Sequence, residues 1–181
     1  MSTPTAYGIK LQKDDGSHSI DASTYRSMVG FFVVFICNKL DIMFATNLLS
    51  RSMIMNSPTE NHLTPAKRVL RYVQGTAEFG LFYRRLNGVK LLGFSDNDWA
   101  GSLDDMKSTT GFCFSLGSDV ICWGTRKQAS VVQSTTEAKY VAASATVNQA
   151  IWLRNVLIDL NFQQENPTKI LCDNKISYCY G

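Results

Sequence analysis

The sequence predicts an α/β chain in two parts, a mostly helical segment over residues 1–85 and a mixed sheet with one long packed helix over residues 86–181. Three observations carry this. Up to Gly75 the apolar residues recur at helical spacing. After Asn87-Gly88 the period shortens, and three apolar runs follow in quick succession. A long helical pattern then separates them from a fourth short run. Three strands, a helix and one more strand form an antiparallel meander, with the fourth strand returned parallel to the first by a right-handed crossover.

Taken in order, residues 1–20 are polar and read as a loop. Asp21-Ala22-Ser23-Thr24 supplies capping residues for a helix carrying Tyr25, Met28, Val29 and Phe32. A second helix is expected from about Asp41 to Met55, with Ile42, Ala45, Leu48 and Leu49 on one face. Asn56-Ser57-Pro58-Thr59 breaks it. A third runs from Thr59 to Val73 and ends at Gly75, with Leu63, Ala66, Val69, Leu70 and Val73 as its stripe. Lys67, Arg68 and Arg71 fall off that stripe, which suits either a solvated basic face or phosphate contact. The junction near residues 84–89 marks a domain boundary.

In the second part, strands are expected at 89–95, 111–116 and 119–124, with Leu116-Gly117-Ser118-Asp119 as a hairpin. A helix follows from Thr135 to about Leu160, with Tyr140, Ala143, Val147, Ile151, Leu153, Leu157 and Leu160 as candidates for its buried side. Asn166-Pro167 ends the connection, and Lys169 to Cys172 forms the fourth strand.

Composition sets bounds on function. A hydrophobic fraction of 45% suffices for a packed core and argues against disorder. The net charge of +3 permits a nucleic-acid partner without demanding one. Five cysteines, at 37, 113, 122, 172 and 179, show no C-x-x-C spacing and read as free thiols of an intracellular protein. With two histidines far apart, His18 and His62, a histidine-based metal site is not expected. The N-terminus is polar, without a signal-peptide pattern, so the chain is expected in the cytoplasm or nucleus rather than secreted. The apolar stretch from Met28 to Cys37 is too short to span a membrane, which takes about 20 apolar residues, and reads as buried.

Three acids stand in settings that can converge. Asp96 closes one apolar run, Glu137 opens the long helix, and Asp173 closes the fourth run. Converging carboxylates repel unless a cation lies between them, and they are hard oxygen ligands suited to Mg²⁺ or Mn²⁺. Each acid alone has a local explanation. Asp96-Asn97-Asp98 and Asp173-Asn174 suit turns, and Glu137 suits a capping box with Ser134. Spacing by itself supports only a possible metal site.

The words of the sequence go further. Tyr25-Arg26-Ser27-Met28-Val29-Gly30, Asp41-Ile42-Met43-Phe44-Ala45, Leu49-Ser50-Arg51, Pro58-Thr59-Glu60-Asn61-His62-Leu63, Ala66-Lys67-Arg68-Val69-Leu70-Arg71-Tyr72 and Gly75-Thr76 come first. Ser95-Asp96-Asn97-Asp98-Trp99-Ala100-Gly101, Leu103-Asp104-Asp105, Lys107-Ser108-Thr109-Thr110-Gly111, Trp123, Lys127-Gln128, Ser134-Thr135-Thr136-Glu137-Ala138, Ala150-Ile151-Trp152-Leu153 and Cys172-Asp173-Asn174 follow. In this order they resemble the C-terminal end of the Pol polyprotein of copia-type LTR retrotransposons. The first group is similar to the region joining reverse transcriptase to ribonuclease H, the second to the ribonuclease H domain itself.

The resemblance implies a ribonuclease H-like fold in which Asp96, Glu137 and Asp173 are the first three metal-binding acids, holding two Mg²⁺ or Mn²⁺ ions for hydrolysis of the RNA strand of an RNA–DNA hybrid. Lys67, Arg68, Arg71, Arg84, Arg85 and Lys127 are the candidates for backbone phosphates, and an upstream reverse transcriptase domain is the partner in the intact polyprotein. The chain also departs from the family. The fourth acid, the last strand and the last helix are expected to be missing. Asn38-Lys39-Leu40-Asp41 replaces the usual Thr-Arg-Pro-Asp, and Lys139 stands where the family commonly has Glu. The isolated chain is therefore expected to be a weak or inactive nuclease. The alternative is a retroelement remnant that at most binds nucleic acid or a protein weakly.

Overall fold

A computed structural model describes residues 2–36, 39–83, 90–172 and the backbone of 178–180. The chain divides into two compact units, residues Met1–Leu81 with Ser102–Asp105, and residues Phe82–Gly101 with Met106–Gly181. The boundary expected at 85/86 falls within 84–89, outside the described residues.

The first unit is helical. α1 (Ala22–Ile36) starts as its sequence predicts, because Asp21 Oδ2 accepts from the Thr24 amide at 2.8 Å and satisfies a free helix-start N–H. Tyr25, Val29 and Phe32 are buried at helical spacing. The stretch around them is not buried on all sides: Phe31, Val33 and Val34 are exposed. The helix expected over 41–55 is three pieces, a 3₁₀ turn (Leu40–Ile42), α2 (Met43–Leu49) and α3 (Ser52–Asn56). Arg51 turns extended, with ψ of 134°, and its carbonyl then accepts from the Ile54 and Met55 amides. The break stays satisfied because the buried Tyr25 hydroxyl donates to the Leu49 carbonyl at 3.2 Å. A local break thus depends on a side chain 24 residues away, which helical spacing alone does not reveal.

α4 (Glu60–Gly75) buries His62, Pro65, Ala66, Val69 and Tyr72, a stripe rotated from the expected one, and leaves Leu70 exposed. His62 is fully buried. Its Nδ1 accepts from the Thr59 amide at 2.9 Å, so Nε2 carries the proton and donates to the Gln12 carbonyl at 2.9 Å. Both ring nitrogens are thereby used in holding the structure. Tyr72 donates to Asp41 Oδ2 at 2.5 Å, and that carboxylate pushes the phenol up to about 12.

The second unit is a mixed sheet of β1 (Leu91–Asp98), β2 (Thr109–Leu116), β3 (Asp119–Lys127), β4 (Lys169–Cys172) and β5 (Tyr178–Tyr180), in the order β3-β2-β1-β4-β5. β1, β2 and β3 form the expected antiparallel meander, and β4 pairs parallel to β1. With the helices that precede it in sequence, this is the ribonuclease H-like mixed α/β arrangement that the sequence predicts. A short β5 also pairs, antiparallel, with β4. A parallel return needs a crossover of about a dozen residues or more. Only 173–177 separate the two strands, so the reversed direction is the accessible one. β1 and β3 also outrun their expected ends, so Asp96 lies inside a strand rather than in a turn after it.

α5 (Thr135–Asp159) supplies the crossover between β3 and β4. It buries Ala138, Ala142, Ala143, Thr146, Ala150, Leu153 and Leu157. Of the expected buried residues, Tyr140, Ile151 and Leu160 are instead exposed. The small side chains at the N-terminal half let the helix lie close to the sheet, and the large residues at the same period face outward. Leu91, Phe114, Ala150, Leu153, Leu157 and Ile170 make the core between α5 and the sheet. The opposite sheet face carries a row of cross-strand partners, Trp123, Cys113, Phe94 and Leu171. Among the described residues no helix is long and apolar enough to cross a membrane.

Candidate active site

Among the described residues the β1–β4 ladder runs as far as the pair Ser95 and Cys172. Asp96, the next residue of β1, pairs with Gly111 of β2. The C-terminal end of β4 thus lies beside the residue preceding Asp96, the end of a parallel pair at which open α/β sheets carry their sites. A small open pocket lies there. Ser95, Asp96, Asn97, Lys139, Ala142 and Cys172 line it. Asp96 is exposed, and its Oδ1 accepts from the Asn97 amide at 2.7 Å.

Two hydrogen-bonded contacts position the walls. The Ser95 and Thr146 hydroxyls are 3.0 Å apart in a buried pair that joins β1 to α5. Buried Gln128, just past β3, donates through Nε2 to Thr110 Oγ1 and to the Ala138 carbonyl, each at 3.1 Å, tying β2 to the first turn of α5. A Cβ at Gly101 would stand 1.9 Å from Asp98 Oδ2, so the Asp98 carboxylate rests against this glycine.

Glu137 sits in the first turn of α5. Ser134 caps α5 by accepting from the Glu137 amide at 3.1 Å, and Glu137 Oε2 accepts from the Gln133 amide at 2.8 Å. This is the capping arrangement expected from Ser134, shifted by one residue. Glu137 is exposed and is not among the residues lining the Asp96 pocket. Lys139 is. Two residues apart on a helix are about 200° apart around its axis, so the two side chains leave α5 on opposite sides. Asp173 lies outside the described residues; Cys172, which precedes it, lines the pocket. Among the described residues, which do not include Asp173, no group of three or more His, Cys, Asp or Glu could hold a metal ion.

Sequence reasoning missed the pocket roles of Ser95, Asn97, Ala142 and Cys172. Lys139 stands out in the sequence only as a departure, although its offset of two from Glu137 already separates the two around the helix. Of the basic candidates, Lys67 and Arg71 are exposed one turn apart on α4. Arg68 is half-buried and donates to the Thr3 carbonyl at 3.3 Å and to Thr3 Oγ1 at 3.0 Å. Lys127 is half-buried at the end of β3, and Arg84 and Arg85 lie outside the described residues. Burial pushes the Cys113 and Cys122 thiols up, away from the reactive thiolate form.

The fold and pocket define a class, a mixed α/β domain with a carboxylate beside a parallel strand pair. Sequence comparison gives its relatives. The chain is 38% identical over 174 residues, 96% of its length, to the retrovirus-related Pol polyprotein from transposon RE2 of Arabidopsis thaliana. It is 32% identical over 182 residues to the retrovirus-related Pol polyprotein from transposon TNT 1-94 of Nicotiana tabacum, covering 97% of the chain. These segments are 12% and 13% of the two polyproteins, so the chain spans a small part of their length. A protein of Plasmopara viticola named secreted RxLR effector protein 161 is 37% identical over 130 residues, 71% of this chain and 90% of that protein. No family model and no solved structure matches the chain. The chain is thus homologous, over nearly all of its length, to a segment of retrovirus-related Pol polyproteins from transposons.

Proposed function

We propose that the chain is the junction of reverse transcriptase and ribonuclease H from a copia-type Pol polyprotein, with a helical connection region followed by a ribonuclease H-like domain. In the intact polyprotein that domain works behind an upstream reverse transcriptase and hydrolyses the RNA strand of RNA–DNA hybrids. Asp96, Glu137 and Asp173 are the positions that would hold Mg²⁺ or Mn²⁺ there, and paired ions supply nucleophile activation and leaving-group stabilisation. The observation that carries the reading is the pairing of Ser95 with Cys172, which makes neighbours of the residues preceding Asp96 and Asp173.

The chain as it stands binds hybrids weakly and cleaves them poorly or not at all. Lys139 lines the Asp96 pocket, and the Glu137 carboxylate accepts from the Gln133 amide. Binding rests on Lys67 and Arg71 with the other basic candidates, through backbone charge and hybrid shape. Reduced thiols at Cys113 and Cys122 support an intracellular setting, cytoplasmic or nuclear.

The test is a labelled RNA–DNA hybrid incubated with the full 181-residue chain and Mg²⁺, beside Asp96→Asn, with binding followed by fluorescence anisotropy. Salt-sensitive binding with background cleavage in both proteins is expected. Strong Mg²⁺-dependent turnover that Asp96→Asn abolishes would overturn the impaired reading. Absence of binding at low salt would remove the nucleic-acid function.

A further inference from the structure

We propose that α5 pairs antiparallel with α5 of a second copy of the chain, along a seam formed by Tyr140, Ser144, Val147, Ile151, Arg154 and Ile158. These positions alternate steps of four and three, the spacing that keeps side chains on one line of a helix and lets two helices interlock. The line lies beside the buried side of α5. Ala150 and Leu157 face the core, and Ile151 and Ile158, one residue on, stand about 100° further round the helix. Tyr140, Ile151 and Ile158 are 64%, 51% and 49% exposed. Val147 is half-buried and reaches the edge of the core. A helix that is apolar beyond its core-facing side calls for cover on the other.

The occupant follows from what the seam carries. A two-fold pair sets residue i against residue j and j against i. Centred between Val147 and Ile151, the antiparallel pair places Tyr140 against Ile158, Val147 against Ile151 and Ser144 against Arg154 of the copy. Apolar meets apolar and the two polar positions meet each other, so the line is complementary to itself. A parallel pair would instead set Arg154 against Arg154, and like charges in apposition are costly. Arg154 is the single charged residue in the sequence from Tyr140 to Ile158. Its guanidinium donates to the Gln164 and Asn166 carbonyls at 2.7 Å and 2.8 Å, toward the connection that follows α5. A nucleic acid would thus find no line of cations here. The seam is about 27 Å long and about 10 Å wide, which places the contact among small, transient interfaces. The pairing is independent of the nuclease reading, since none of the seam residues lines the Asp96 pocket.

Sedimentation equilibrium of the full chain tests the pairing. Reversible dimerisation with a dissociation constant of about 10–100 µM is expected. Ile151→Glu alters one side chain per copy at the centre of the seam and should raise that constant at least about hundredfold, about tenfold for each. Orientation is read by cross-linking. Under mild oxidation Tyr140→Cys and Ile158→Cys chains should cross-link to each other in a mixture, and neither to itself beyond the wild-type background. Both positions are exposed, so these variants decide the question even if Ile151→Glu fails to fold. A wild-type chain that stays monomeric to about 500 µM would overturn the inference. So would a folded Ile151→Glu, judged by circular dichroism, that associates like wild type. Self-cross-linking of either cysteine variant, or no cross-link in the mixture, would overturn it equally.

Discussion

The hydroxyls of Ser95 and Thr146 meet at 3.0 Å, and Thr146 is fully buried. Thr146 also lies 2.8 Å from the Ala142 carbonyl of its own helix. With one proton on each hydroxyl, Thr146 serves the carbonyl and Ser95 completes the pair. This contact couples α5 to the β1 residue that precedes Asp96, so it sets the depth of the pocket as well as the packing.

Removing both partners should therefore cost less than the two single removals added together. Thr146→Val leaves a buried Ser95 hydroxyl unsatisfied and should destabilise the second unit by about 1–3 kcal/mol. Ser95→Ala together with Thr146→Val should cost less than the sum of the singles. Urea unfolding followed by tryptophan fluorescence reads this unit alone, because Trp99, Trp123 and Trp152 all belong to it. Additive losses would show that the pair is not coupled.

Gly93 is a packing requirement. A Cβ there would stand 2.8 Å from Phe114 Cε1 and 3.1 Å from Ile170 Cγ1, its partners on the two flanking strands. Gly93→Ala should destabilise the sheet by about 1–3 kcal/mol through overpacking. Gly30, inside α1, has nothing within 4 Å of an added Cβ. Gly30→Ala should stabilise the helical unit by about 0.5–1 kcal/mol, seen as a later far-ultraviolet melting transition. The opposite signs are the check.

Asp15 should govern part of the acid sensitivity of the first unit. The Ser17 hydroxyl and amide, at 2.6 Å and 3.0 Å, hold its carboxyl down to about 2 from an ordinary 3.8. A lowered folded value stabilises above the unfolded value and loses that effect as pH falls through the folded one. The advantage of the wild-type chain over Asp15→Asn in thermal melts should be constant above pH of about 4 and vanish as pH approaches 2. A difference that persists at pH of about 2 would assign the effect to packing instead.

Lys67→Ala with Arg71→Ala should weaken hybrid binding and reduce the slope of log affinity against log salt by about 1.8, at about 0.9 for each phosphate that is no longer neutralised. Arg68→Ala should change the slope less, since its guanidinium is engaged with Thr3. An unchanged slope in the double variant would show that this face of α4 touches no phosphate.

Periodicity and punctuation determined much of this molecule. The antiparallel meander, the parallel fourth strand and the start of α5 at Ser134 follow from local spacing, capping chemistry and turn residues. The broken second helix does not, because its free carbonyl is answered by Tyr25 from another helix. Nor does the buried side of α5, where alanines lie against the sheet while Tyr140 and Ile151 face outward.

The pocket divides the same way. Sequence alone singled out Asp96 and Glu137, because strand and helix signals locate each along the chain. Only the tertiary structure decided that Lys139 shares the pocket of Asp96 while Glu137 closes a cap. Which side of a helix meets a neighbouring strand depends on its rotation about its axis. That rotation is set by contacts distant in sequence, here Thr146 with Ser95 and Gln128 with Ala138, and no local pattern encodes them.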